Sequence, residues 1–221
     1  DPVIIRLYEL VDSTFGDMEA ESMALGEAMD RMKEACPSMR YDKIYTYISG
    51  TMDYANRVVC NSHECLVSID QYVLPSTRQY AYFGTPQYLV RQSQPKYLLP
   101  DCLAAMAREH IALTEATPSL LDYMVAEGKA LYLASICLPH TPDSILLRYS
   151  AEQYEWAVRN EEHIWSFFLQ NNLLFESDYM RIHNFTDEAP QTNPFRAGSD
   201  GVTSAPRTTD YIGLRHVRQY M

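Results

Sequence analysis

Between residues 3 and 35, Met, Leu and Ala recur at helical spacing through an acidic background, and Pro37 ends the run, so a helix is predicted there. The period then changes. Ile44–Ser49, Arg57–Cys60 and Cys65–Asp70 are short, β-branched and bounded by turn formers. Asn61-Ser62-His63-Glu64 fits a hairpin connection between the last two. Residues 75–100 hold Pro75, Pro86, Pro95 and Pro100 among Tyr and Gln, which reads as loop with short helical pieces. Helical spacing returns over about 101–114, 119–137 and 150–171, and Ser150 with Gln153 forms a capping box for the third. Residues 186–207 read as a long surface loop before a last helix near 208–220. A few strands followed by many helices predict an α+β fold, mostly α, with a small antiparallel sheet near the N-terminal third. A single domain is expected, with a helical region over 1–36, the sheet over 41–73 and a helical body over 101–221.

Indexing the middle helices exposes three ionisable residues on apolar stripes. Leu99, Leu103, Met106, His110 and Leu113 share one face; Leu120, Met124, Glu127 and Leu131 share another. Tyr154, Val158, Glu161, Trp165 and Phe168 make the third. An inward carboxylate is costly unless paired. Three arrangements meet that demand. Each group finds its own partner (Glu161 an Arg, His110 a backbone carbonyl, Glu127 a Tyr or water), or they share a polar pocket, or they hold a metal. One His and two carboxylates are a thin set for zinc.

The 221 residues are 47% hydrophobic and 21% charged, which excludes a disordered chain. No apolar run is long enough to span a membrane. A net charge of −11 argues against binding nucleic acid by phosphate neutralisation, and against adsorption to anionic lipid. Residues 1–34 hold nine acids against Arg6, Arg31 and Lys33, the pattern of a solvated helix face or of a dock for a basic partner. Five cysteines show no zinc spacing. Cys60 and Cys65 flank the expected turn and are placed to pair, a point spacing alone does not decide. The segment 78–97, with Tyr80, Tyr82, Tyr88, Arg91 and Tyr97, has the composition of a recognition surface, or of ordinary loop packing. No GxSxG and no Gly-rich phosphate loop is present, and Cys102 and His110 stand two turns apart on one helix.

Asp70-Gln71-Tyr72, Glu127-Gly128-Lys129-Ala130-Leu131-Tyr132 and Tyr149-Ser150-Ala151-Glu152-Gln153 with Trp156 carry a family resemblance. Asn160-Glu161, Ile164-Trp165, Tyr211-Ile212-Gly213-Leu214, Val217-Arg218 and Tyr220-Met221 continue it. From about Cys65 to Met221 the chain resembles the gliding-motility lipoprotein B (GldB) family of Bacteroidota. The resemblance implies an extracytoplasmic lipoprotein of the periplasm or outer membrane, held to the membrane only through a lipidated cysteine outside these residues.

That family in turn looks like a distant branch of zincin metallopeptidases, whose HExxH helix supplies two zinc ligands and a general base. Glu127-Gly128 matches the downstream ligand position, but the upstream helix reads Met106-Ala107-Arg108-Glu109-His110. The first ligand has become a thioether, poor for zinc, and the base an alanine. The resemblance therefore implies a zincin-like body with a degenerate pocket lined by Met106, His110, Glu127 and Glu161, no catalytic residue and no cofactor. The expected function is non-catalytic binding of an envelope protein or glycan. The alternative is a divergent peptidase with zinc at His110 and Glu127.

Overall fold

The structure is a computed structural model and describes residues 2–51, 53–73, 84–111, 113, 115–188, 193–195 and 204–221. The chain folds as two compact units, Asp1–His110 with Ile136–His140, and Ile111–Ser135 with Thr141–Met221.

Unit 1 opens with α1 (Pro2–Phe15), whose Leu7, Val11 and Phe15 recur every four residues and are buried. The single helix expected over 3–35 is in fact two. Gly16 and Met18 both adopt left-handed backbone conformations, with φ 55° and 59°, and these end α1 and offset α2 (Glu19–Ala35). Ala28 and Met32 face inward from α2, while Glu19, Glu27, Asp30 and Glu34 are exposed.

Three strands follow: β1 (Lys43–Tyr47), β2 (Val58–Cys60) and β3 (Glu64–Ser68). β2 and β3 form the expected hairpin, and Asn61 Oδ1 accepts from the backbone N–H groups of His63 and Glu64 at 2.8 and 2.7 Å to close it. Cys60 and Cys65 stand directly opposite and are disulfide-bonded. The sheet is mixed rather than antiparallel, because β1 lies parallel to β3 in the order β1-β3-β2. The chain between β1 and β3 already holds β2, which gives β1 the length of connection a parallel pairing needs. A 3-10 turn (Ile69–Tyr72), α3 (Gln87–Val90) and α4 (Leu98–His110) complete the unit. Tyr72 pins the turn to α4 by donating to Asp101 Oδ2 at 2.6 Å.

Unit 2 is helical. It begins with most of α5 (Leu120–Cys137), where Ser119 and Asp122 cap each other: the Ser119 hydroxyl donates to Asp122 Oδ2 at 2.6 Å, and the Asp122 N–H donates back at 3.3 Å. After α6 (Asp143–Leu146), the capping box at Ser150 and Gln153 is present in both halves and starts α7 (Ala151–Arg159). The helix expected over 150–171 breaks at Asn160, whose side-chain amide donates to the Trp156 carbonyl at 2.8 Å, and α8 (Glu161–Gln170) begins after it. α9 (Tyr179–Thr186) was not anticipated, and α10 (Thr208–Tyr220) lies where the last helix was expected. α5 and α10 cross at Gly128 and Gly213: a Cβ on Gly213 would overlap the Met124 carbonyl, and one on Gly128 the Gly213 backbone. Phe195 anchors an aromatic cluster, with ring centroids 4.9 Å from Phe167 and 5.9 Å from Trp156.

Candidate functional site

Met106 and His110 lie in unit 1, on α4. Met106 is fully buried, as the stripe requires, with Leu103 beside it. His110 is not inward. It is the last residue of α4 and exposed, so its place on the apolar stripe is corrected: where the helix ends, the periodicity no longer directs the side chain. Its Nδ1 lies 3.1 Å from the Met106 carbonyl and 3.3 Å from Tyr41 Oη, and Tyr41 donates to that same carbonyl at 2.9 Å. The carbonyl can only accept, so the contact places the proton on Nδ1. Burial, then Glu109, push the Tyr41 pKa up to about 12.

Glu127 and Glu161 lie in unit 2 and answer to different partners. Glu161 accepts from the Tyr211 hydroxyl at 2.7 Å and from Arg215 Nε at 3.2 Å, the separate satisfaction by an arginine that the sequence left open. Burial, then that hydrogen bond, raise the Tyr211 pKa. Glu127 is half-buried on α5, and its charge acts on Arg207. Arg207 is the hub of this unit. It pairs with Asp210 at 3.0 Å and Glu188 at 3.5 Å, and donates to the Leu147 carbonyl. Burial alone would lower its pKa; Glu188, Asp210, Tyr149 and Glu127 together raise it instead. Tyr149, buried beside it, donates to the Pro206 carbonyl at 2.7 Å.

Of the positions that the sequence reading set against HExxH, Met106 is a buried thioether and Ala107 has no donor, which leaves Nε2 of His110 as the single zinc-type ligand among them. Among the described residues, no group of three or more His, Cys, Asp or Glu is placed to hold a metal.

Of the tyrosine segment, Tyr80 and Tyr82 lie outside the described residues. Arg91 is exposed and Tyr88 half-buried. Tyr97 is 4% exposed within the short turn Pro95–Tyr97, so it belongs to the core and is withdrawn from the recognition surface.

Three features of unit 1 went unread in the sequence. Asp70, fully buried, accepts from the N–H groups of Ser49 and Gly50 at 3.1 and 2.9 Å and from the hydroxyls of Ser49 and Ser68 at 3.0 and 2.7 Å. These four bonds offset the cost of its burial. Next, the outward sheet face carries an apolar row, Tyr45–Leu66–Val59, in direct cross-strand register and 45, 49 and 46% exposed. Tyr45 and Tyr47, two residues apart in β1 and so on one face of the sheet, were the available signal.

The third feature is a cavity of about 430 Å³ on the inner face of the sheet. Ile44, Thr46 and Val67 line it from the strands, Phe15 and Leu25 from α1 and α2, and Cys102 from α4. Burial, then Asp101, hold the Cys102 thiol far above its ordinary pKa, so this cysteine is unreactive packing. Asp17, Met18 and Glu21 stand at the α1–α2 turn that also lines it.

Together these describe a mostly-α α+β protein in which Asp70, Glu161 and Arg207 are held by groups of the fold itself. The profile of the family described as gliding motility protein GldB matches residues 1–221, and the chain belongs to that family. The match takes in residues 1–64, which the resemblance had left aside. No curated protein and no solved structure matches the chain. Among the described residues, no helix is long and apolar enough to cross a membrane.

Proposed function

We propose that the chain is a non-catalytic lipoprotein of the bacterial cell envelope, anchored outside the cytoplasm, that serves surface motility or envelope assembly by binding a protein or glycan partner. The match to the gliding motility family along all 221 residues carries this reading. Two physical observations support it. If the zincin resemblance holds, its first ligand and general base would fall on Met106 and Ala107, and neither side chain supplies that chemistry. The hairpin disulfide between Cys60 and Cys65 suits an oxidising compartment.

Complementation of a gliding host lacking its own GldB protein tests the reading. His110→Ala and Glu127→Gln are expected to restore spreading as the parent sequence does, and the protein is expected to label with fatty acid and to fractionate with membranes. Elemental mass spectrometry on untagged protein is the second arm. Near-stoichiometric zinc that disappears in His110→Ala, together with lost complementation by folded Glu127→Gln, would overturn it in favour of a peptidase.

A further inference from the structure

The cavity of unit 1 has two properties that together name a ligand class, independently of any role in motility. Its lining is mixed: Phe15, Leu25, Ile44 and Val67 give it an apolar part and Asp17, Glu21, Ser22 and Thr46 a polar one, around a volume of about 430 Å³ that is within the range of small-molecule sites and enough for a chain of about ten carbons. The only charged groups in its described lining are acidic. Asp17 stands at the α1–α2 turn and Glu21 in the first turn of α2, neither forms an ion pair, and no Lys, Arg or His is among the described residues that line the space. Asp17 accepts one backbone N–H, that of Glu19, at 3.1 Å.

A ligand carrying a carboxylate or phosphate would bring a like charge beside these two acids while losing water, which disfavours it. A neutral apolar ligand would leave both carboxylates without a cation. We propose that unit 1 binds a small amphiphile with a protonated amine head. The apolar body fills the space between the sheet and α4, and the ammonium lies against Asp17 and Glu21. The apolar part of the lining supplies affinity and the acids supply selectivity, because an ion pair at a partly solvated mouth changes binding only by a modest factor.

Calorimetric titration with decylammonium, decanol and decanoate, each below its micelle concentration, tests the assignment. Decylammonium is expected to bind about fivefold tighter than decanol, and decanoate weakest. The double variant Asp17→Asn, Glu21→Gln should bring the amine and the alcohol to equal affinity. Thr46→Trp, which fills the cavity from the strand, should abolish binding of all three. Ser22→Trp, on the exposed side of α2 at the same mouth, provides the block should Thr46→Trp fail to fold. Decanoate binding as well as decylammonium, binding that survives both blocks, or no binding by the parent protein would each overturn the proposal.

Discussion

The two units spend their polar residues differently. In unit 2, charged side chains pair with one another: Arg207 with Asp210 and Glu188, Arg215 with Glu161, and Arg218 with Asp143 through two bonds of 2.7 and 2.9 Å. In unit 1 the ion pairs Arg6–Glu9 and Arg31–Glu27 are exposed, the buried Asp70 is bound by backbone amides and hydroxyls, and the buried Arg57 lies 4.9 Å over the Tyr54 ring. Unit 2 also brings two helices to backbone contact, whereas unit 1 keeps a cavity under its sheet; both leave apolar side chains uncovered, Tyr45, Leu66 and Val59 on the sheet of unit 1 and Phe175, Tyr179 and Met180 in unit 2. Close packing and ion pairing fix a geometry; empty volume leaves room for a ligand. The contrast makes the space under the sheet of unit 1 the one to test for binding.

Three substitutions or conditions press on that contrast. The largest effect is expected from Gly213→Ala, because its Cβ meets backbone that cannot swing aside. A loss of about 3 kcal/mol or more in denaturant unfolding of the unit 2 helices is expected, above the usual overpacking cost. A loss under about 1 kcal/mol would show that the helices slide freely and that unit 2 is no more rigid than unit 1. Next, Arg207→Leu leaves Asp210 and Glu188 without their cation and should cost about 3 kcal/mol, measured by the same unfolding. The double change Arg207→Leu, Asp210→Asn should recover part of that loss, since the uncompensated charge goes with it.

Alkali gives the smallest effect and touches both units. Tyr149 and Tyr211 in unit 2 and Tyr72 in unit 1 have pKa values raised chiefly by burial, with nearby carboxylates adding to it. Ionisation in the unfolded chain begins near the ordinary value of 10.0, while the folded tyrosines stay protonated. Their contribution to stability is therefore complete below about pH 10 and is lost as pH rises toward the folded values. Tyrosinate absorbance should lag behind that of free tyrosine and then rise together with loss of helix. Smooth titration at the ordinary value without unfolding would count against burial as the cause.

Much of the local structure was legible because its signals are local. Ser150 with Gln153 started a helix, Asn61 closed a hairpin, and Pro37 followed the end of α2. The two helix breaks were missed for one reason: apolar periodicity continued across them. Gly16-Asp17 was a turn signal inside a good helical pattern, and Asn160 breaks its helix through a hydrogen bond to Trp156 that spacing does not reveal. Parallel pairing of β1 also depends on long-range contact.

For the candidate site, indexing identified the residues that need partners, and it could not supply the partners. Glu161 meets Tyr211 and Arg215 from a helix fifty residues on. Some of the residues that carry the family resemblance turn out to touch one another, Gly128 meeting Gly213 and Glu161 meeting Tyr211, while Asp70 holds the end of the sheet through Ser49, Gly50 and Ser68. What the sequence displayed as a motif is in part a set of packing contacts, and that is why the motif led to a family more readily than to a chemistry.

The hairpin bridge links the fold to its chemical surroundings. β2 is only three residues long, and its last residue is tied to β3 by the bond between Cys60 and Cys65. Closing so small a ring contributes about 2 kcal/mol in the chain-entropy account, a large share for a strand that short. Val67, two residues further along β3, lines the cavity. Thiols of this kind stay reduced in the cytosol and pair in oxidising surroundings. The bond therefore makes the strand that supplies Val67 to the cavity sensitive to the redox state of its surroundings.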